Sequence, residues 1–254
     1  MIDRVAFTTW LPMILFGLVL LAGCSTLPRT SVETEPPLRK YDELVDQRKT
    51  HPLEIYDPLE GFNRGTYRFN YYFDKYIFLP VVNAYDFVLP DYVEDRISCF
   101  VDNVFEFNNL LNNILQGKLQ GTGITLSRLI INSTVGIGGL WNPATGWGMH
   151  EQPEDFGQTL GYYGAGGGPY LILPILGPSN LRDTIGIAGD AASFAGAGPV
   201  AWVENNAASR SFTGVSSVDR RHRQSFRYYQ SGSPFEYEMV RLIYTKKREL
   251  EISR

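Results

Sequence analysis

From Phe156 to Leu181 the chain runs for 26 residues without a charged side chain. A composition that is 20% charged predicts about five in that length. The segment carries Gly157, Gly161, Gly164, Gly166, Gly167, Gly168 and Gly177, and is cut by Pro169, Pro174 and Pro178. These residues break a helix repeatedly, so the stretch is not a simple transmembrane span. A second uncharged stretch runs from Leu129 to Met149. Such backbone fits two settings. One is a buried turn in a soluble helical domain. The other is irregular chain at bilayer depth, tolerated where it is buried in protein or lines a cavity. The residues alone leave both open.

The N-terminus favours the membrane. Arg4 opens a short basic region, an apolar run follows from Val5 to Leu21, and Leu21-Ala22-Gly23-Cys24 closes it. The run is short and ends in small residues, which reads as a secretion signal rather than an anchor. The small residues before Cys24 resemble a bacterial lipobox, with Cys24 as the lipidated first residue of the mature chain. The alternative is an ordinary signal with an incidental cysteine. Several acyl chains on one residue, at about 0.8 kcal/mol per buried methylene, make a stable anchor. Ser25 beside the lipobox favours the outer membrane by analogy with bacterial lipoproteins. The organisation is then a signal over 1–23, a tether over 24–56 with Pro28, Pro36 and Pro37, and a domain over 57–254. The tether has a flexible reach of roughly 30 Å. Cys99 remains as a lone thiol, expected to pack as a small hydrophobe.

Helix signals dominate the domain. Asp57 as N-cap, Pro58 at the first helical position and Glu60 reaching back predict a helix start. Phe62, Thr66, Phe69, Phe73 and Ile77 share one face of that helix, Glu60 and Arg64 pair at i,i+4, and Pro80 ends it. Asp91 and Glu94 form a second box that opens a helix over Tyr92–Gln116, stopped by Gly117. Its apolar stripe is Val93, Ile97, Phe100, Val104, Phe107, Leu111 and Ile114; Asp95, Arg96, Asp102 and Glu106 lie on the other face. A third helix covers Thr122–Ser133, a small-residue helix follows Asp183, and Ser233 and Glu236 open a last helix at about 234–250. The later turns of that helix carry Arg241, Lys246, Lys247 and Arg248, either a solvated basic face or one suited to anionic lipid.

Most catalytic chemistry lacks its residues. Gly164 to Gly168 approaches a dinucleotide pattern, but Pro169 replaces the third glycine and no βαβ pattern surrounds it. His51, His150 and His222 are far apart and form no metal motif. A net charge of -4 argues against nucleic acid. Asp57, Glu60, Glu154, Asp155, Asp183 and Asp190 leave a carboxylate-pair hydrolase possible in principle. The expectation is no catalytic residue, no metal and no cofactor.

The motifs converge on one family. Asp57-Pro58-Leu59-Glu60-Gly61-Phe62-Asn63-Arg64 resembles the opening motif of MlaA (VacJ) lipoproteins. Asp155-Phe156-Gly157-Gln158-Thr159-Leu160-Gly161, continuing through Gly164, Gly168-Pro169-Tyr170, Leu173-Pro174 and Gly177-Pro178 to Leu181-Arg182-Asp183, is similar to its central signature. Asn132-Ser133-Thr134-Val135-Gly136 fits as well, while Ser233-Pro234-Phe235 departs from an Asp-Pro-Tyr start. The resemblance implies an all-α, ring-like, membrane-embedded domain in the periplasmic leaflet of the outer membrane, enclosing an amphipathic channel. It implies transfer of misplaced phospholipids from the outer leaflet to a soluble periplasmic carrier, and association with a trimeric porin. A structural scaffold lipoprotein is the alternative, and a lipid hydrolase a weaker one. On this resemblance Gly161–Pro169 shapes the channel region, and the Phe62–Phe73 face packs or contacts lipid. Arg182 and Asp183, being adjacent, each find partners elsewhere; Arg182 takes a structural ion pair or a phosphate.

Overall fold

The computed structural model describes residues 55–199 and 206–253. The signal, Cys24 and all but the last two residues of the 24–56 tether lie outside the described residues. The order is α1 (Glu60–Phe73), a π-helical segment (Asp74–Phe78), α2 (Leu79–Val88), α3 (Asp91–Leu115), α4 (Leu119–Thr134), the short α5 (Pro143–Gly146), α6 (Phe156–Tyr162), β1 (Tyr170–Leu173), β2 (Gly177–Asn180), α7 (Leu181–Ala197), α8 (Asn206–His222) and α9 (Glu236–Ile252). The domain is predominantly helical, as expected. Its one departure is an antiparallel hairpin inside the glycine-rich segment, pairing Tyr170 with Asn180 and Leu173 with Gly177. Among the described residues no helix is long and apolar enough to cross a membrane.

Pro80 does not end the first helix. Proline removes one backbone donor and crowds the carbonyl four residues back. The wider π turn at Asp74–Phe78 absorbs both effects, and the chain continues as α2. The π segment is pinned by Arg221 of α8, whose Nε and Nη2 donate to the two oxygens of buried Asp74 at 2.7 Å each.

Two expected capping boxes do not form. Helix α1 begins at Glu60, so Asp57 lies one turn too early; its Oδ1 takes the Leu59 amide at 3.2 Å and Asn63 Nδ2 at 2.8 Å. Glu60 pairs with Arg64 at 2.7 Å, as expected, instead of reaching back. Helix α3 begins without a side-chain cap, and Glu94 is buried, 3.5 Å from His222 Nε2. Glu236 does reach back, but to the Tyr229 and Ser231 amides and the Tyr67 hydroxyl rather than to Ser233. The caps that form among the described residues are Asn142 on the Thr145 amide at 3.2 Å, and Asp155 on the Gln158 amide and Asn180 on the Asp183 amide, both at 2.8 Å. Gly117 stops α3 as expected, at φ +69°.

Burial is inverted relative to a water-soluble bundle. Among the described residues nine apolar or aromatic residues are buried, against twenty-four polar or charged ones. Soluble cores run the other way. Helix α1 turns Asn63, Thr66, Tyr67, Asn70 and Tyr71 inward, while Phe62 and Phe69 stay 62% and 49% exposed and Ile77 beyond them 54%. The expected stripe on α3 also fails to define its core face: only Val104 of that set is buried, beside Glu94, Asn103, Glu106, Asn112 and Asn113. Glu106, assigned from sequence to the outer face, is buried.

Candidate functional site

The glycine-rich segment is built on α1. Asn63 donates to the Tyr170 carbonyl at 3.0 Å and accepts from the Ile172 amide at 2.8 Å. One heptad later Asn70 donates to the Leu173 carbonyl at 3.0 Å and accepts from the Ile175 amide at 2.7 Å. Two asparagine amides thus stand in for a missing neighbour strand and satisfy the free edge of β1. The resemblance placed Asn63 in the family motif; this is the work it does. Tyr170 and Ile172 of the hairpin pack with Tyr67 and Tyr237 into a hydrophobic core. Asp57 closes it: its Oδ2 accepts from the Tyr237 hydroxyl and from Arg241 at 3.3 Å, joining the chain entry to α9. Pro58 turns the chain between Asp57 and the helix.

Between α6 and β1 the backbone is open to the outside. Gly164 and Gly168 hold φ of +89° and +69°, conformations that favour glycine. Tyr163, Ile175 and Leu176 are exposed around the segment. Pro169 bends the chain into β1, and Leu181, also exposed, starts α7. Gly157 and Gly186 let α6 and α7 approach closely: a Cβ on Gly186 would lie 2.4 Å from the Gly157 nitrogen. At Gly161 a Cβ would meet Ile252 at 2.7 Å and Arg182 at 3.0 Å.

One guanidinium ties this region together. Arg248 of α9 donates to both oxygens of Asp155, at 2.7 and 2.9 Å, and to both of Asp183, at 2.8 and 3.0 Å. Asp183 also takes Tyr244, Asn180 and Arg182. Desolvation pushes both carboxyls up, but the bonds and charge of Arg248 reverse it, so Asp155 and Asp183 titrate below the usual carboxylate range. Contrary to expectation, Arg182 and Asp183 do pair, at 2.7 and 2.9 Å. The α-helical step separates their Cα atoms by only one residue, yet the long Arg182 side chain curls back onto its neighbour's carboxylate. Arg182 therefore holds the ion-pair role rather than a free phosphate contact. Sequence reasoning also read Arg241 and Arg248 as a basic surface; both are drawn inward, whereas Lys246 and Lys247 are exposed.

A second polar node lies under α3 and α4. Arg128 and Glu106, each 1% exposed, form an ion pair, and Arg128 also donates to Thr145 at 2.9 Å and to the Met149 carbonyl at 2.7 Å. Asn112 donates to Asp190 at 2.9 Å and accepts from Thr159 at 2.8 Å. Asn103 Oδ1, Asn108 Oδ1 and Thr125 Oγ1 are buried without a partner among the described residues. Buried acceptors and hydroxyls normally have one. The sequence signal for this node was weak but present: Arg128 is the last charge before an uncharged run, and Asn108, Asn109, Asn112 and Asn113 crowd one end of a long helix. Of the six carboxylates considered for hydrolysis, Asp155, Asp183 and Asp190 are engaged in these bonds, Asp57 with Tyr237 and Arg241, Glu60 with Arg64, and Glu154 with Gln116 and Lys118.

The chain matches known proteins over this whole region. The family model described as MlaA lipoprotein matches residues 55–251. An uncharacterised protein of Rickettsia prowazekii is 41% identical over 131 residues, covering 52% of each chain. The intermembrane phospholipid transport system lipoprotein MlaA of Escherichia coli K12 is 38% identical over 141 residues, covering 53% of this chain and 55% of its own. The chain thus spans about half the length of the curated relatives it matches. A solved structure describing the structural basis for maintenance of bacterial outer membrane lipid asymmetry superimposes with a TM-score of 0.63 at 30% identity, over 78% of this chain and 100% of its own. The chain belongs to the MlaA lipoprotein family.

Proposed function

We propose that this chain is an outer-membrane lipoprotein, anchored through Cys24 and partly embedded in the periplasmic leaflet. It moves mislocalised phospholipids out of the outer leaflet through an amphipathic, ring-enclosed passage and delivers them to a soluble periplasmic carrier. The process is not enzymatic. The inverted burial carries this reading: asparagines and ion pairs face inward, while phenylalanines and isoleucines face outward. Exposed apolar patches of that extent mark a membrane or a partner, and a lipid headgroup needs polar surroundings away from the hydrocarbon. The unpartnered Asn103, Asn108 and Thr125 atoms support a hydrated interior. The open glycine turns at Gly164 and Gly168 supply irregular backbone next to it. The names borne by the relatives, a phospholipid transport lipoprotein and the maintenance of lipid asymmetry, support the same reading. A trimeric porin is the proposed neighbour within the membrane.

A deletion strain lacking the family protein, assayed for surface-exposed phospholipid and complemented with this chain, tests the proposal. Restored asymmetry supports transport. Normal asymmetry in the deletion strain with disturbed porin assembly would establish a scaffold instead. Release of fatty acid or lysolipid by the purified chain would establish a hydrolase.

A further inference from the structure

The end of α8 and the residue after it carry four basic side chains in a row, and they are not equivalent. Arg221 is consumed by Asp74. His222 lies against Asp86, with Nδ1 at 2.7 Å, and against Glu94. Arg223 donates to both oxygens of Asp102 and to Asp219, each at 2.8 Å. Arg220 makes no hydrogen bond or ion pair among the described residues. Its guanidinium carbon instead lies over the ring of Phe105, 3.6 Å from the centroid. Phe105 belongs to an aromatic patch drawn from three helices. Phe194 of α7 stacks on it at 5.4 Å, Phe212 of α8 sits at 5.8 Å, and Phe100 of α3 meets Phe212 edge-on at 6.2 Å. The patch is not sealed: Phe100 is 39% exposed and Arg220 itself is exposed.

This arrangement has a definite chemistry. A ring beneath the guanidinium excludes water from one face and fixes its plane. The planar N–H fork of a guanidinium matches two oxygens of a phosphate. Desolvation and the charge of Arg223 hold the Arg220 pKa below the ordinary arginine value, outweighing the opposing pull of Asp102 and Asp219. Apolar rings lie next to that cation, an arrangement suited to a ligand with a phosphate joined to hydrocarbon.

We propose that Arg220 and the Phe100–Phe105–Phe194–Phe212 patch form a phospholipid-binding site, the guanidinium holding the phosphodiester and the rings holding the start of an acyl chain. This rests on the transport reading and names the residues that would grip the cargo. Arg182, the arginine that sequence marked for phosphate, is occupied by Asp183; Arg220 takes that part.

The test is equilibrium dialysis on the full chain held in amphipol. The probes are radiolabelled dihexanoylphosphatidylglycerol, inorganic phosphate, and dihexanoylglycerol, which lacks the phosphate. A charge-assisted bidentate contact predicts that R220Q weakens lipid binding about tenfold or more and that R220K weakens it less. F212A should lower lipid affinity while leaving phosphate affinity alone. R210Q removes another exposed α8 arginine, one with no ring contact among the described residues, and should leave binding within twofold. Unchanged binding by R220Q overturns the site. So does an equal loss in R210Q, which would mean bulk charge. Equal affinity for dihexanoylglycerol would reduce the patch to a greasy surface, and full competition by inorganic phosphate at equal affinity would make it a free-phosphate site. The complementation assay separates this site from the transport reading. If the parent chain restores asymmetry while R220Q binds lipid normally, only the site fails. If R220Q loses binding while the parent fails to complement, only the transport reading fails.

Discussion

Replacing Arg248 with methionine should reverse the acid response of the domain's central node. Among the described residues Arg248 is the only guanidinium bonded to both Asp155 and Asp183. Its side chain and that of Asp183 are 11% and 6% exposed, whereas Asp155 is 39% exposed, so solvent screens the Asp155 half. Losing one partner of a buried pair costs about 3–5 kcal/mol when the other charge is stranded. Asp183 is not stranded, because Arg182 and Tyr244 remain. The expected loss is therefore about 2–3 kcal/mol, below that range. A domain of this size melts lower by about 2–4 °C per kcal/mol, so the melt should fall by roughly 5–10 °C at neutral pH. The sign of the pH effect follows from the depressed carboxyls. In the parent, the stability they contribute is present above the unfolded value of about 3.9 and is lost as pH falls through the lower folded values. In Arg248→Met, Asp155 keeps its Gln158 bonds but loses Arg248, so desolvation is offset less, its folded pKa rises, and protonation relieves part of the variant's loss. The gap between the two melts should be widest near pH 7 and should narrow as pH falls toward 4. Circular dichroism melts of the purified proteins in amphipol at several pH values decide it. A gap under about 2 °C at pH 7, or one independent of pH, refutes the reasoning.

Other substitutions probe separate parts. Gly186→Ala should destabilise by about 1–3 kcal/mol because its Cβ would meet the Gly157 nitrogen, while Gly166→Ala, with open space around it, should leave the melt unchanged. Asn70→Ala removes both bonds to the hairpin and should raise hydrogen–deuterium exchange at 170–180 well before the rest of the domain. Replacing Phe62 and Ile77 with serine should leave the melt nearly unchanged, since both are more than half exposed, yet weaken association with phosphatidylethanolamine–phosphatidylglycerol vesicles; undiminished association would remove the apolar face from the membrane contact. Cys24→Ala should abolish labelling by radioactive palmitate, and normal labelling and membrane retention in that variant would refute the lipoprotein anchor.

Helix positions were largely legible in the sequence, and their orientations were not. Turn and stop residues act locally, so Gly117, the α3 span and the approximate bounds of α4 and α9 could be read from spacing. Orientation depends on which face meets which solvent. Of the expected stripe Phe62, Thr66, Phe69, Phe73 and Ile77, Thr66 is buried while Phe62, Phe69 and Ile77 are exposed, and the rule that apolar sides turn inward assumes water outside. Asn63 and Asn70 carry the structural work on the opposite side, and a seven-residue spacing of asparagines has no local signature. The capping boxes failed for a related reason. Asp57 and Glu94 were matched to nearby backbone donors; Asp57 keeps one, the Leu59 amide, but Tyr237, Arg241 and His222, distant in sequence, also bind or approach these carboxylates. The pairing of Arg182 with Asp183 was missed because helical spacing rules describe extended side chains, and a long guanidinium can fold back on its neighbour.

The inverted core has an energetic consequence. In an ordinary bundle non-directional burial of hydrocarbon dominates, and many packings are tolerated. Here so few apolar residues are buried that area alone gives little specificity, and order must come from bonds with fixed geometry. The Arg248, Arg128 and Asn63–Asn70 networks are of that kind. Each satisfied member contributes modestly, but each unsatisfied one costs about 1–3 kcal/mol, so partial arrangements are penalised more than complete ones are rewarded. Such a core resists rearrangement. A polar interior held rigid by charge-assisted bonds, inside an apolar exterior, is the combination an amphiphile requires if its headgroup is to cross hydrocarbon without the wall collapsing onto it.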